Sequence, residues 1–232
     1  METPRDPREM ICTSIKAKTL EEMASKTVGA ESNIIELRLD TLKPSIKSNM
    51  GLKQLRDLVL AARQNGRRII LTYRGQGDSA TGRLRLLNLM VKAEPDYIDL
   101  DIHSDPIGEV TSWVEGTGIM IIGSHHDYNQ TPSLPDLTAV VDKARGVGAS
   151  IIKVVTTARR IDDNLVNLRL TSMMPSKIIS FSMGPLGTPS RILAPFFGAP
   201  FTYASYTRGE ETAPGQIEAG EVIRIWRMMR LV

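Results

Sequence analysis

The sequence predicts a parallel (β/α)8 barrel of the TIM type. Three observations predict it. Eight short, apolar, β-branched runs recur along the 232 residues, and segments of helical periodicity fall between them. The mean beat, roughly 29 residues per unit, is that of a barrel repeat. No linker or low-complexity stretch divides the chain, so residues 1–232 read as one domain. The units are not self-similar, which excludes a solenoid. A doubly wound open sheet competes with the barrel, but no Gly-x-Gly-x-x-Gly follows the first strand.

The elements follow in order. "MICTSI" (10–15) is the first strand and carries Cys12, the chain's single cysteine. One cysteine gives neither a disulfide framework nor a cysteine-based metal site, and Cys12 reads as a buried structural thiol. "LEEMASKTVG" is helical and ends at a C-capping Gly. In "NIIELRLD" (33–40), Glu36, Arg38 and Asp40 alternate with Leu37 and Leu39, so all three charges are expected inside the barrel and the leucines outside. Three interior charges are costly unless they pair or bind something. "GLKQLRDLVLAARQNG" forms the next helix. "RIILTYR" (68–74) then ends at Arg74, suited to an anion or a hydroxyl, before the loop "GQGDSATG". That loop is polar and well placed to close over a substrate.

"GRLRLLNLMVKAEP" is helical and stops at Pro95. "YIDLDI" (97–102) puts Asp99 and Asp101 on one face, as supporting partners of a site or simply a polar strand end. "IMIIGSHHD" (119–127) brings two of the chain's three histidines to a strand end. Neighbours on a strand face opposite ways, so one of His125 and His126 points inward, where a histidine serves as general acid or base. With only His103 and scattered carboxylates besides, a metal centre is a poor alternative. The helix "LPDLTAVVDKARGVG" leads to "IIKVVTTA" (151–158). There Lys153 shares a face with Ile151 and Val155, so it points into a dry interior. Burial disfavours the charged form, and a neutral amine attacks a carbonyl to give a Schiff base. The competing reading is a lysine that snorkels to the rim or pairs with a carboxylate.

"KIISFSMG" (177–184) runs into a Gly-containing turn and Arg191, near a helix start that Ser190 is placed to cap; this group suits a phosphate or a carboxylate. "PFTYASY" (200–206) is the eighth strand. It is followed by Thr212 and Gln216 as hydrogen-bonding groups, and by a last helix from "APGQ" to "IRIWRMMRLV" with Pro214 near its first turn.

Composition narrows the partners. Hydrophobic residues make up 41% and charged residues 24%, ordinary for a globular protein. The net charge is +3, no Lys/Arg block of five occurs and aromatics are 5%, so a nucleic-acid platform is not expected. No apolar run nears the ~20 residues of a membrane span. The N-terminus has no apolar signal segment, so a cytoplasmic location is expected. The strand ends together suit a small polyhydroxylated acid held by arginines, with a ketone facing a lysine and a histidine.

"ELRLD", "TYR", "YIDLDI", "SHHDY" with "QTP", "IIKVV", "SFSMGPLGTPSRI" and "TAPGQI" together resemble the type I 3-dehydroquinate dehydratases, the Schiff-base class of the shikimate pathway of aromatic amino acid biosynthesis. They occur in that family's order and cover nearly the whole chain. The resemblance implies a (β/α)8 barrel and Lys153 as the Schiff-base lysine. It also implies His126 as the acid/base, with His125 where the family often has an aromatic residue. Arg191 would bind the substrate carboxylate, helped by Gln216 and Thr212. Glu36, Arg38 and Arg74 would hold ring hydroxyls and position the lysine and histidine, and Met183 and Tyr203 would line the pocket. Neither metal nor organic cofactor is implied. The expected partners are the small-molecule substrate 3-dehydroquinate and a second copy of the chain as a homodimer, with no nucleic acid and no membrane.

The chain departs from the family in three places. Thr212 stands where Ser is frequent and Tyr203 where Phe is frequent, and "GQGD" replaces a frequent Glu-Gly-Gly, leaving Asp78 as a candidate acidic contact. A class I aldolase on the same barrel is the alternative enzyme. A barrel that only binds a carboxylated metabolite is the non-enzymatic alternative.

Overall fold

The computed structural model describes residues 5–44, 51–75, 79–103, 106–175 and 177–232. Eight strands form one sheet: β1 (Ile11–Ile15), β2 (Ile34–Arg38), β3 (Arg68–Thr72), β4 (Tyr97–Asp101), β5 (Met120–His126), β6 (Ile151–Thr157), β7 (Ile178–Met183) and β8 (Thr202–Ser205). Their order is β7-β6-β5-β4-β3-β2-β1-β8, with every pairing parallel. The helices between them, among the described residues, are α1 (Leu20–Gly29), α2 (Leu52–Gln64), α3 (Ala80–Lys92), α4 (Ile107–Val114), α5 (Leu134–Gly146), α6 (Asp163–Met173), α7 (Thr188–Leu193) and α8 (Ala219–Met228). This is the nearly closed (β/α)8 barrel that the strand and helix alternation predicts.

The strand period of two sorts the core into two layers. Ile34, Ile70, Ile122, Ile151, Val155 and Ile179 fill the barrel. Their neighbours Ile35, Leu37, Ile69, Leu71, Ile152 and Val154 pack under the helices. Lys153 therefore points inward with Ile151 and Val155, as its strand predicts. Helix starts follow local chemistry: Thr19, Ser79 and Ser133 accept backbone N–H groups from the first turns of α1, α3 and α5.

β7 and β8 are the two ends of the sheet, and α7 spans the seam between them. The Ser182 N–H donates to Ser190 Oγ at 2.9 Å, and Thr202 Oγ1 donates to the Arg191 carbonyl at 2.6 Å. Ser190 thus ties α7 to β7, and Arg191 ties it to β8, rather than Ser190 serving as the helix cap its position suggests. Two further expectations change. β2 ends at Arg38, and Asp40 lies in the 3-10 turn Leu39–Thr41 instead of on an inward strand face. The last helix begins at Ala219, five residues after Pro214. The Ser205 N–H donates to the Ile217 carbonyl at 2.9 Å, and Ser205 bridges Glu218, so this stretch runs beside β8 before the helix can start.

Candidate active site

A cavity opens at the C-terminal ends of the strands, where barrel enzymes place their chemistry. Lys153, His126, Glu36, Arg38, Arg74, Met183, Arg191, Tyr203, Thr212 and Gln216 all line it. Ser14, Tyr128, Val155, Phe181, Ala213 and Pro214 complete the wall. Asp78, the candidate acidic contact, and the centre of the "GQGDSATG" loop lie outside the described residues.

Lys153 is 6% exposed and lies deep in this cavity. Its Nζ donates to Asp99 Oδ2 at 3.1 Å and lies 3.7 Å from Glu36 Oε1. Lys153 is thus buried, as its strand predicts, and paired, as a buried lysine must be. The carboxylates are themselves fixed. Glu36 accepts from Ser14 Oγ at 2.6 Å and Thr72 Oγ1 at 2.8 Å. Asp99 accepts from Ser124 Oγ at 2.7 Å and from the Arg74 guanidinium. Burial alone would raise the Asp99 carboxyl, but the Arg74 and Lys153 charges outweigh it and hold it well below the usual carboxylate range. Ser14, Asp99 and Ser124 are the working partners that sequence reasoning left unassigned or open.

His125 and His126 face opposite ways, as adjacent strand residues must. His126 lines the cavity, its ring stacked at 6.0 Å and 16° on Tyr128. Burial, reinforced by the positive charges of Arg74 and Lys153, pushes its imidazole well below the ordinary histidine value. It is therefore neutral at pH 7, the form a general base needs. His125 instead meets His103 on the outside, Nδ1 to Nε2 at 2.9 Å, and His103 Nδ1 lies 3.0 Å from Lys143 Nζ. Among the described residues no group of three or more His, Cys, Asp or Glu could hold a metal ion.

Arg38 is held by Asp40 through two hydrogen bonds, 3.0 Å from Nε and 2.7 Å from Nη2. This fork explains why Asp40 leaves the strand face. Arg191 is different. It is 1% exposed, stacks its guanidinium 4.3 Å from the Phe181 ring centre, and donates one long bond, 3.4 Å, to the Tyr203 carbonyl. Its Nε and Nη2 have no partner, and burial pushes its pKa down to about 9. A buried guanidinium with unused donors has the chemistry to take an anion. Beside it, Gln216 Oε1 accepts from the Thr212 N–H at 2.6 Å and from Thr212 Oγ1 at 3.1 Å, which ties the loop after β8 over the cavity.

The model of the type I 3-dehydroquinase family matches residues 11–231. The chain belongs to the type I 3-dehydroquinase family. It is 34% identical over 222 residues to the 3-dehydroquinate dehydratase of Dehalococcoides mccartyi strain 195, covering 94% of each chain. It is 30% identical over 227 residues to that of Methanocaldococcus jannaschii, covering 96% of this chain and all of the relative. The crystal structure of 3-dehydroquinate dehydratase from Geobacillus kaustophilus superposes with a TM-score of 0.81 at 23% identity, covering 96% of this chain and 91% of that one, which shows the same fold. The family expectation drawn from "ELRLD", "SHHDY", "IIKVV" and "TAPGQI" is met.

Proposed function

We propose that this chain dehydrates 3-dehydroquinate to 3-dehydroshikimate through an imine on Lys153. The observation that carries the reading is one cavity holding a buried lysine, a neutral histidine and an unpaired buried guanidinium. Arg191 takes the substrate carboxylate, helped by Gln216 and Thr212, because two of its buried nitrogens have no partner within the protein. Glu36, Arg38 and Arg74 hold the ring hydroxyls, and Met183 and Tyr203 close the apolar sides.

The chemistry follows from these placements. Lys153 hands one proton to Glu36, 3.7 Å away, and its lone pair attacks the C3 ketone. The carbinolamine loses water to give an iminium, which draws electrons from C2. His126 removes a C2 proton, and the enamine expels the C1 hydroxyl while His126 returns a proton to the departing oxygen. Hydrolysis of the product imine frees Lys153. Acid/base help of this kind contributes about 10²–10⁴-fold. The amine serves as the electron sink, so the steps call for no metal or organic cofactor.

Borohydride reduction with 3-dehydroquinate, followed by peptide mass mapping, tests the reading. A stable adduct on Lys153 is expected. A folded protein with substrate in excess and no adduct would sink it. His126→Ala should still form the adduct but turn over 10²-fold slower or more. Full turnover in that variant would remove His126 from the mechanism. We further propose that the chain acts as a single barrel domain, in the cytoplasm and as a homodimer. Light scattering on the purified protein gives the oligomeric state directly. Among the described residues no helix is long and apolar enough to cross a membrane.

A further inference from the structure

Lining the pocket does not account for the position of Tyr203. The Lys153 Nζ sits 3.7 Å from the centre of the Tyr203 ring, well inside the ~6 Å reach of a cation–π contact. The ring is 2% exposed. Phe181 crosses it at 6.1 Å and 49°, and Phe201 at 5.7 Å and 56°, so it cannot swing away from the nitrogen. Its hydroxyl is buried without a hydrogen-bond partner, so the phenol oxygen is not what the site uses. What the residue presents to the reacting nitrogen is its π face.

We propose that the Tyr203 ring face stabilises the positive nitrogen of the Lys153 iminium, which makes Tyr203 a catalytic residue for this reaction. The inference rests on the imine reading above. Its reason lies in the count of donors. An ammonium has three N–H groups; one donates to Asp99 at 3.1 Å, and Glu36, at 3.7 Å, meets the nitrogen as an ion pair. Imine formation joins Nζ to the substrate carbon and releases water. A C–N bond forms, the carbonyl oxygen leaves with two protons, and the protonated product nitrogen keeps one N–H. That single N–H can serve Asp99, and no donor is left to turn toward Glu36. The charge persists with one donor in place of three. An aromatic face needs no N–H to hold a cation, and the planar iminium can lie flat on it. The ring thus serves the intermediate at the point where the carboxylates serve it less.

The test replaces Tyr203 with Phe, then with phenylalanines carrying one, two and three ring fluorines, and with Leu. Fluorine drains the π face while nearly preserving the ring's shape. Imine formation is followed by rapid borohydride quench, with kcat and KM measured alongside. Tyr203→Phe should stay within about threefold of the parent. Imine formation and kcat should fall stepwise with each fluorine, to about 10–30-fold for three, the size of a desolvated cation–π contact. Tyr203→Leu should lose at least as much.

A flat fluorine series, with wild type still trapping the Lys153 adduct, overturns this inference alone and leaves the imine reading standing. A wild-type chain that traps no adduct overturns both. The fluorinated rings are near-isosteric, so their thermal midpoints should match the Phe variant even where Tyr203→Leu fails to fold.

Discussion

Lys153 and Asp99 face each other at 3.1 Å where neither is solvated, so each depends on the other for its charge. Removing one partner of a buried pair costs about 3–5 kcal/mol, because the survivor is left uncompensated. Asp99→Asn should lower stability by that order in urea unfolding and slow imine formation by at least tenfold. A stable, fully active variant would show that Glu36 alone suffices. The pH dependence carries a definite sign. Asp99 is depressed in the folded state, so its contribution is present above its unfolded value, near pH 4, and is lost as the pH falls toward the folded one. Wild type should therefore lose stability below about pH 4–5 more steeply than Asp99→Asn. His126 is depressed too, so it stays a base below its ordinary value. The acid limb of kcat/KM should lie below about pH 6.5, and a limb at or above that value would contradict the neutral-base role. The sequence made Lys153 legible because one cation in an apolar β-branched run has few explanations. It left Asp99 ambiguous, because alternation in "YIDLDI" fixes a face but not what waits across the barrel.

At the scale of elements, strand positions were legible and strand ends were not. Apolar runs mark where strands are, but side-chain forks decide where they stop. Arg38 and Asp40 close such a fork within two residues, which turns the chain into a 3-10 helix. The seam between β7 and β8 was not legible at all. It depends on Ser190, whose place early in a short helix reads as a cap. Its hydroxyl instead accepts the Ser182 N–H at 2.9 Å and donates to the Gly187 carbonyl at 3.0 Å. Ser190→Ala would leave both groups without that partner inside a packed seam. A loss of about 1–3 kcal/mol is expected in urea unfolding, the desolvation cost of a buried group left unmade. KM should rise more than kcat falls, because Arg191 is the next residue on the same turn. An unchanged KM would uncouple the seam from the anion site.

At the scale of the molecule, the barrel carries a cost at one point that a bound anion would remove. Arg191 is among the largest fully buried side chains, and two of its three nitrogens have no partner. Burying such donors unmatched disfavours folding, and burial accordingly pulls its pKa down to about 9. The residue also sits on the helix that spans the seam, so an anion bound there joins β7 and β8 through α7. Replacing Arg191 with Met, of similar length and without charge, should therefore leave the unliganded protein as stable or more so, while removing its response to ligand. A polyhydroxylated ring carboxylate such as quinate, at 100 times its dissociation constant, should stabilise wild type by about 2.7 kcal/mol. Arg191→Met should gain almost nothing at the same concentration. Thermal midpoints of both proteins, with and without quinate, decide the matter. An unliganded variant that melts well below wild type would mean the guanidinium supports the fold on its own, and the unmatched donors would then need another explanation than a waiting anion.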